Sequence, residues 1–171
     1  MVLLNVFRLL LLTTLLLAGK EVNLECRSIT FEGNTVVETA SLEEAAGVQR
    51  PGKLTFWKDQ TPRIKCALIP TIPEALRSLY HSEGFYDATF NIAEDDRSVK
   101  ITVKEGKPVR VSEVEIESDY NISAFIPFVT KQRFKTATFI QSKSDVIKAL
   151  LDEGYCSYDL DTKAYIDVEK Y

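Results

Sequence analysis

The chain has 171 residues, of which 45% are hydrophobic and 27% are charged, a composition typical of a folded soluble protein rather than of a disordered one. Its net charge of −4 argues against a nucleic-acid backbone as the main partner, because phosphate binding requires a basic face. A single histidine leaves little material for pH switching or for histidine-based metal sites.

Residues 1–19 form a separate N-terminal segment. Arg8 is the only charged residue in it, and residues 9–18 read LLLLTTLLLA. An apolar run of this length is typical of the central part of a secretion signal, and it is shorter than the roughly 20 residues that span a bilayer. We interpret residues 1–19 as a signal peptide, with an uncleaved N-terminal membrane anchor as the alternative.

The next segment predicts a strand followed by a short helix. Residues 22–31 carry apolar side chains at alternate positions with one change of phase near Arg27, which predicts a half-buried strand with a bulge or a late start. The sequence Ser41-Leu42-Glu43-Glu44 is a capping box and predicts a helix to about Val48. For residues 53–70, a second short strand and an irregular packed loop both fit.

A second helix and a hairpin complete this part of the chain. Residues 71–83 carry apolar side chains at spacings of three and four, with Pro73 near the first turn and Gly84 at the end. Two alternating runs, residues 85–93 and 99–103, flank a short polar connection and predict an antiparallel hairpin. The predicted order of elements is therefore β-α-α-β-β.

The pattern then begins again. Residues 76–85 and 146–155 match at a constant spacing, and each is an amphipathic helix that ends in Glu-Gly-aromatic. Apolar alternation predicts strands before and after the second helix, in residues 109–116 and 158–168. The chain is thus predicted to hold an α+β module at residues 22–106 and a second at 107–171 that is incomplete at its C-terminus.

Three short sequences of the first module resemble the signatures of POTRA domains, the polypeptide-transport-associated modules of outer-membrane assembly and secretion factors. They occur in the family's order, and the resemblance is strongest to TamA-type factors, followed closely by BamA-type insertases and two-partner secretion transporters. The second module departs from the pattern, since Ser118-Asp119 stands where Gly-Asn is expected. The three sequences are Phe31-Glu32-Gly33-Asn34, Glu83-Gly84-Phe85-Tyr86-Asp87-Ala88 and Val103-Lys104-Glu105-Gly106-Lys107-Pro108-Val109.

The resemblance implies a fold and a role. Each module is expected to be a three-stranded mixed sheet with two helices on one face, and its edge strand is expected to bind unfolded polypeptide by β-augmentation. The implied binding edge follows Gly84 and includes Tyr86, Ala88, Phe90 and Ile92. The alternative for these side chains, which we favour for each individually, is that they pack the module's own core.

The resemblance also implies a location and partners. The chain is expected in the periplasm, associated with the outer membrane, where it would help β-barrel or autotransporter proteins to assemble. The implied partners are unfolded outer-membrane proteins, a membrane β-barrel absent from this chain and an inner-membrane TamB-like protein, but no nucleic acid. The alternative function is a membrane-anchored envelope or division protein that binds a fixed partner through the same kind of module.

The residue types that carry catalysis do not form a recognisable site. The pairs Glu43-Glu44 and Asp95-Asp96 are interpreted as a helix N-terminal turn and a solvated turn, and neither a nucleophile elbow nor a phosphate loop is found. No catalytic, metal or cofactor residue is therefore assigned, and an exported hydrolase or ligand binder is the least favoured class. Of the three cysteines, Cys26 and Cys66 could form a disulfide or remain buried thiols.

Overall fold

The computed structural model describes residues 26–51, Trp57 and residues 59–167. The signal peptide predicted for residues 1–19 lies outside the described residues. No helix within the described ranges combines the length and the apolar character that a membrane span requires.

The first module is built on a mixed sheet of four strands, β1 (Cys26–Glu32), β2 (Arg63–Lys65), β3 (Thr89–Glu94) and β4 (Ser98–Lys104). Their spatial order is β2-β1-β4-β3. β1 pairs in parallel with β4 and antiparallel with β2, and β3 and β4 form the predicted hairpin. The α+β class is confirmed, but the expected count of three strands was one too low. The additional strand, β2, has three residues with a single buried position, which is too short for alternation to reveal.

Two helices, α1 (Thr39–Ala46) and α2 (Ile72–Ser82), connect these strands. The predicted capping box does not form, because α1 begins two residues before Ser41 and its N-cap makes no side-chain hydrogen bond. A 3-10 helix (Cys66–Thr71) leads directly into α2. The helix predicted for residues 71–83 is confirmed.

The core lies between the two helices and one face of the sheet. Val99, Ile101 and Val103 of β4 are buried while their neighbours are more exposed, so a single face of this central strand is covered. Fully burying an aliphatic side chain of this kind stabilises a fold by about 1.5–3 kcal/mol relative to leaving it exposed. The helical side of the same core consists of Leu42, Ala46, Ile72, Leu76 and Tyr80.

The second half of the chain contains a long helix but no sheet of its own. Helix α3 (Thr136–Asp152) confirms the helix that carries Val146 and Leu150. The strands predicted for residues 109–116 and 158–168 were wrong for the described residues, because neither segment is a strand up to residue 167. A strand requires a hydrogen-bonding neighbour, and the only pairing found there is the single bridge between Arg110 and Arg133. That residues 107–171 are a second module therefore stays a prediction.

Candidate functional site

One edge strand of the sheet, β2, is partly covered by another segment, whereas the other edge strand, β3, has a free side. The outer side of β2 is occupied at Arg63, whose carbonyl accepts a hydrogen bond from the N–H of Gln49 at 2.8 Å. β3 has six residues and pairs only with β4 among the described residues. An unpaired edge presents a row of N–H and C=O groups that can pair with any extended peptide. The long open edge of the module is therefore β3.

The register of the hairpin determines which residues of β3 present their main chain at this edge. Next to the turn, the N–H of Asp95 donates to the carbonyl of Ser98 at 2.9 Å. Hydrogen-bonded and non-hydrogen-bonded pairs alternate along an antiparallel ladder. The non-hydrogen-bonded positions of β3 are consequently Phe90, Ile92 and Glu94, and their N–H and C=O groups point away from β4.

The side chains of the predicted binding edge contact the module itself. Ala88, Phe90 and Ile92 are half-buried and pack against the core. The ring of Phe90 lies 5.5 Å from that of Tyr80, centroid to centroid. Tyr86, which precedes β3, stacks on His81 at 4.7 Å. Phe90 and Ile92 thus combine a core side chain with main-chain groups directed outward, and their role in binding polypeptide stays a prediction.

A groove of about 400 Å³ lies beside this edge, between β3 and the 3-10 helix that leads into α2. Most of its lining is apolar. At one end the guanidinium of Arg27 binds the carboxylate of Glu94 at 2.9 Å, and the buried Nε of Arg27 has no hydrogen-bond partner among the described residues. The lining residues are Arg27, Cys66, Ile69, Pro70, Pro73, Ile92 and Glu94.

A buried carboxylate, that of Glu105, ties the end of the sheet to the loop that follows β1. It is 8% exposed, and it accepts hydrogen bonds from the hydroxyls of Thr35 and Tyr80 and from the N–H groups of Val36 and Val37. Burial alone raises the pKa of this carboxyl, but the hydrogen bonds from Thr35 and from the loop N–H groups outweigh burial and lower it. Glu105 is therefore held as an ion that fixes the loop.

Gly33, in the first of the three POTRA-like sequences, lies where the backbone closely approaches that of Val103. Gly33 has φ +87°, and a Cβ at this position would lie 2.2 Å from the carbonyl oxygen of Val103. Only glycine permits both this conformation and this approach. The first and third of the POTRA-like sequences thus meet at one end of the sheet. Gly33 and Glu105 both make contacts within the module there.

Two of the three cysteines are described with their side chains. Cys66 is a free thiol that lines the groove, and Cys156 is free and exposed. The backbone of Cys26 pairs with Lys65, directly beside Cys66. The side chain of Cys26 lies outside the described part, so the Cys26–Cys66 disulfide stays a prediction.

The two acidic pairs differ from each other. Asp95 accepts hydrogen bonds from the N–H groups of Arg97 and Ser98, as expected for a turn. The placement of Glu43 in the N-terminal turn of the helix was wrong, because α1 begins at Thr39 and Glu43 is its fifth residue. Its side chain is buried and binds Arg50 at 2.6 Å. Within the described ranges, no group of three or more potential ligand side chains could hold a metal ion.

The family model for POTRA domains, which carries the description "Surface antigen variable number repeat", matches residues 25–106. This range begins one residue before β1 and ends just after β4. Residues 25–106 are a POTRA domain. The bounds given above for the first module, residues 22–106, stay a prediction.

Two solved structures are similar to about three quarters of the chain at low identity. POTRA domains 3 to 5 of BamA from Haemophilus influenzae share 15% identity, with 76% of this chain covered and a TM-score of 0.40. The N-terminal domain of Omp85 from the thermophilic cyanobacterium Thermosynechococcus elongatus shares 15% identity, with 72% covered and a TM-score of 0.34. The match spans 56% and 54% of those chains, about half of each. No curated protein sequence matches the chain.

Proposed function

We propose that the POTRA domain is a periplasmic scaffold that binds unfolded outer-membrane β-barrel or autotransporter proteins while they assemble. The observation that carries this proposal is the open edge of β3, which offers the main-chain groups of Phe90, Ile92 and Glu94 to an added strand. Recognition through the main chain does not depend on the client's side chains, so one edge can accept many different clients.

The sequence of β3 leaves this edge available. Natural edge strands are often protected against pairing by proline or lysine. β3 reads TFNIAE and contains neither, and Glu94, its single charged residue, is paired with Arg27. The adjacent groove can receive alternate side chains of an added strand, since side chains project alternately to the two faces of a sheet. Strands of membrane barrels carry apolar residues at every second position and match this arrangement.

The wider setting is part of the same proposal. The segment 1–19 directs export, and the domain acts in the periplasm near the outer membrane, without a cofactor and without catalysis. Its partners are unfolded client proteins, a membrane β-barrel beyond this chain and an inner-membrane TamB-like protein. An envelope or division protein with a fixed partner is the second candidate. The mass of the N-terminus of exported protein separates the two, because the second requires residues 1–19 to be retained.

The test is to block the edge without breaking the hairpin. The N–H of Ile92 points away from β4, so Ile92→Pro removes an outward donor and leaves the ladder intact. Ile92→Ala is the matched control, because it trims the same side chain but keeps the N–H. A lost main-chain hydrogen bond is worth about 0.5–1.5 kcal/mol, or roughly 2- to 13-fold in affinity.

The measurement is a titration of the full chain with a synthetic peptide of alternating apolar residues, followed by NMR of the β3 amides. We expect Ile92→Pro to bind the peptide more weakly than Ile92→Ala does. The two variants should have similar melting temperatures, because neither substitution removes a hydrogen bond between β3 and β4. Equal peptide affinity for the two variants would contradict binding at this edge. Binding that shifts amides of α1 instead of β3 would do so as well.

A further inference from the structure

One face of the sheet points away from α1 and α2, and it is polar. Val99 and Ile101 of β4 are buried against the helices, so Lys100 and Thr102 project to the opposite side. The register extends this assignment to the other three strands, because cross-strand partners share a face. The uncharged side chains described on this opposite face are those of serine, threonine, asparagine and alanine, so it presents no large apolar side chain.

Most of the charged residues on this face are cations. Four basic side chains lie on it against a single acid, although the whole chain has a net charge of −4. Within the described ranges, neither Lys65 nor Lys104 forms an ion pair. We name the set the basic sheet face, and its charged members are Arg63, Lys65, Lys100, Lys104 and Glu32.

The other two cations are held only by exposed acids. Lys100 binds Glu32 at 2.8 Å, and Arg63 binds Asp59 at 3.1 Å. All four of these side chains are at least 50% exposed. Exposed ion pairs stabilise a protein very little, because water and salt screen them. An anionic group that approaches this face can therefore replace either acid.

The opposite side of the domain has the reverse charge. Helices α1 and α2 carry three acids, Glu43, Glu44 and Glu74, against the single arginine Arg77. The domain is thus polarised across its thickness, with a basic sheet on one side and acidic helices on the other. A protein with this distribution of charge is oriented by an anionic surface, which attracts one side and repels the other.

An exposed tryptophan lies in the connection that enters the basic sheet face. Trp57 is 69% exposed, and it precedes β2 by so few residues that it lies within about 21 Å of Arg63. Tryptophan favours the boundary between lipid and water, because its ring is apolar and its N–H remains hydrated there. A cationic surface and an aromatic residue suited to that boundary therefore occur in one region of the domain.

The composition of the face distinguishes among anionic partners. The centre of a protein–protein interface is rich in apolar and aromatic side chains and poor in lysine, whereas the basic sheet face has the opposite composition. Nucleic acid is a poor match for a chain of net charge −4. A layer of lipid headgroups presents many phosphates on a hydrated surface, which lysine side chains bind without burial of apolar area.

We propose that the basic sheet face binds the anionic headgroup layer of a membrane, with Trp57 at the boundary of that layer. Lysine and arginine side chains bind lipid phosphates, and α1 and α2 face the water. The inference is independent of the open edge of β3. That edge pairs through main-chain groups in the plane of the sheet, whereas membrane binding uses side chains that project from it.

The test is co-sedimentation of the full chain with vesicles of phosphatidylcholine, with or without phosphatidylglycerol. Lys65→Gln/Lys104→Gln removes the two cations of the face that form no ion pair with described residues. Lys143→Gln/Lys148→Gln makes the same change of charge at exposed positions of α3, outside the POTRA domain, and is the matched control. Residues 1–19 are the same in every variant, so any binding by that segment cancels in the comparison.

We expect the wild type to bind anionic vesicles more tightly than neutral ones, and we expect salt to weaken this binding. A lysine near an anionic membrane contributes about fivefold to binding, so Lys65→Gln/Lys104→Gln should bind about 25-fold more weakly. The α3 control should bind as the wild type does. Trp57 is the single tryptophan of the chain, and its emission should shift to shorter wavelength only with anionic vesicles.

Equal binding to the two kinds of vesicle would overturn the proposal, and so would equal losses for the face variant and the α3 control. Vesicle binding with an unchanged Trp57 emission would contradict the proposed orientation. Binding of soluble polyglutamate, but not of anionic vesicles, would identify an acidic polypeptide as the partner instead. Circular dichroism checks folding, and Lys100→Gln/Lys104→Gln, at two exposed positions, replaces the face variant if that variant does not fold.

Discussion

The two halves of the molecule contain closely similar helices but differ in what surrounds them. In residues 26–106, α2 packs on a four-stranded sheet, and Leu76 and Tyr80 are completely buried. In residues 107–167, the extended segments before α3 form a single bridge, between Arg110 and Arg133, but no sheet. Val114 and Ile116 are 39% and 43% exposed. A helix is specified by its own periodicity and end residues, whereas a strand is specified by a partner elsewhere in the chain. The comparison leads to three predictions, from the largest expected effect to the smallest.

The largest difference in the free energy of unfolding is expected between alanine substitutions of two isoleucines, both of which lie in predicted strands. Ile101→Ala removes a fully buried side chain from β4 and should lower the free energy of unfolding by about 2–5 kcal/mol. Ile116→Ala changes an exposed side chain and should stay within about 0.5 kcal/mol of wild type. Urea unfolding followed by circular dichroism measures both. A comparable loss for Ile116→Ala would show that residues 109–116 are buried in solution.

The second prediction concerns Glu105, a buried acid of a kind not found among the described residues 107–167. Glu105→Gln should lower the free energy of unfolding at pH 7 by about 1–3 kcal/mol, because the amide is a weaker acceptor for the loop N–H groups. The pKa of Glu105 is lowered in the folded state. Its stabilisation is therefore complete above the ordinary carboxyl pKa and is lost as the pH falls through the folded value.

The measurement compares unfolding at pH 7 and at pH 3. The difference between wild type and Glu105→Gln should shrink at the lower pH, while Glu117→Gln, at an exposed position, should follow the wild type throughout. A difference that stays constant with pH would contradict the assignment of an ionised Glu105.

The smallest difference in stability is expected between alanine substitutions of the two glycines that follow α2 and α3. Gly154→Ala meets only the cost of the left-handed conformation, about 1 kcal/mol. Gly84→Ala meets the same cost and also collides with the carbonyl of Phe134, so it should be the more destabilising of the pair. Thermal unfolding of the two variants gives the comparison. Equal losses would mean that residues 133–135 do not dock at Gly84.

Much of the POTRA domain could be predicted from local patterns. The α2 helix and the hairpin of β3 and β4 follow from periodicity and turn residues, and the open edge was assigned to the correct strand. The outward direction of the Phe90 and Ile92 main chain depends on the register with β4, which no local pattern contains. The proposed binding edge was therefore predicted as a set of side chains, although the part of β3 that the structure leaves accessible is the backbone.

Strand β2 and the segment at residues 133–135 are also related by the internal repeat of the sequence. Arg63-Ile64-Lys65, which forms β2, matches Arg133-Phe134-Lys135 at the same spacing that relates the two helices. Each of these segments lies antiparallel to the first extended segment of its own half. Extending the repeat upstream of the helices would have predicted both β2 and the segment at residues 133–135. The ion pairs of Arg133 and Lys135 with Glu83 still required coordinates, because they join residues far apart in the chain.

The parallel pairing of β1 with β4 has a consequence for the order in which the domain can form. This ladder joins Ser28 to Ser98 and Glu32 to Thr102, so the two central strands lie at opposite ends of the domain's sequence. Contacts between such distant residues make folding slow, since a large loop must close first. A chain that emerges N-terminus first cannot complete the sheet until β4 has followed. The open edge of β3 then comes into existence only when the domain is whole, and a partly emerged chain presents no finished edge to its neighbours.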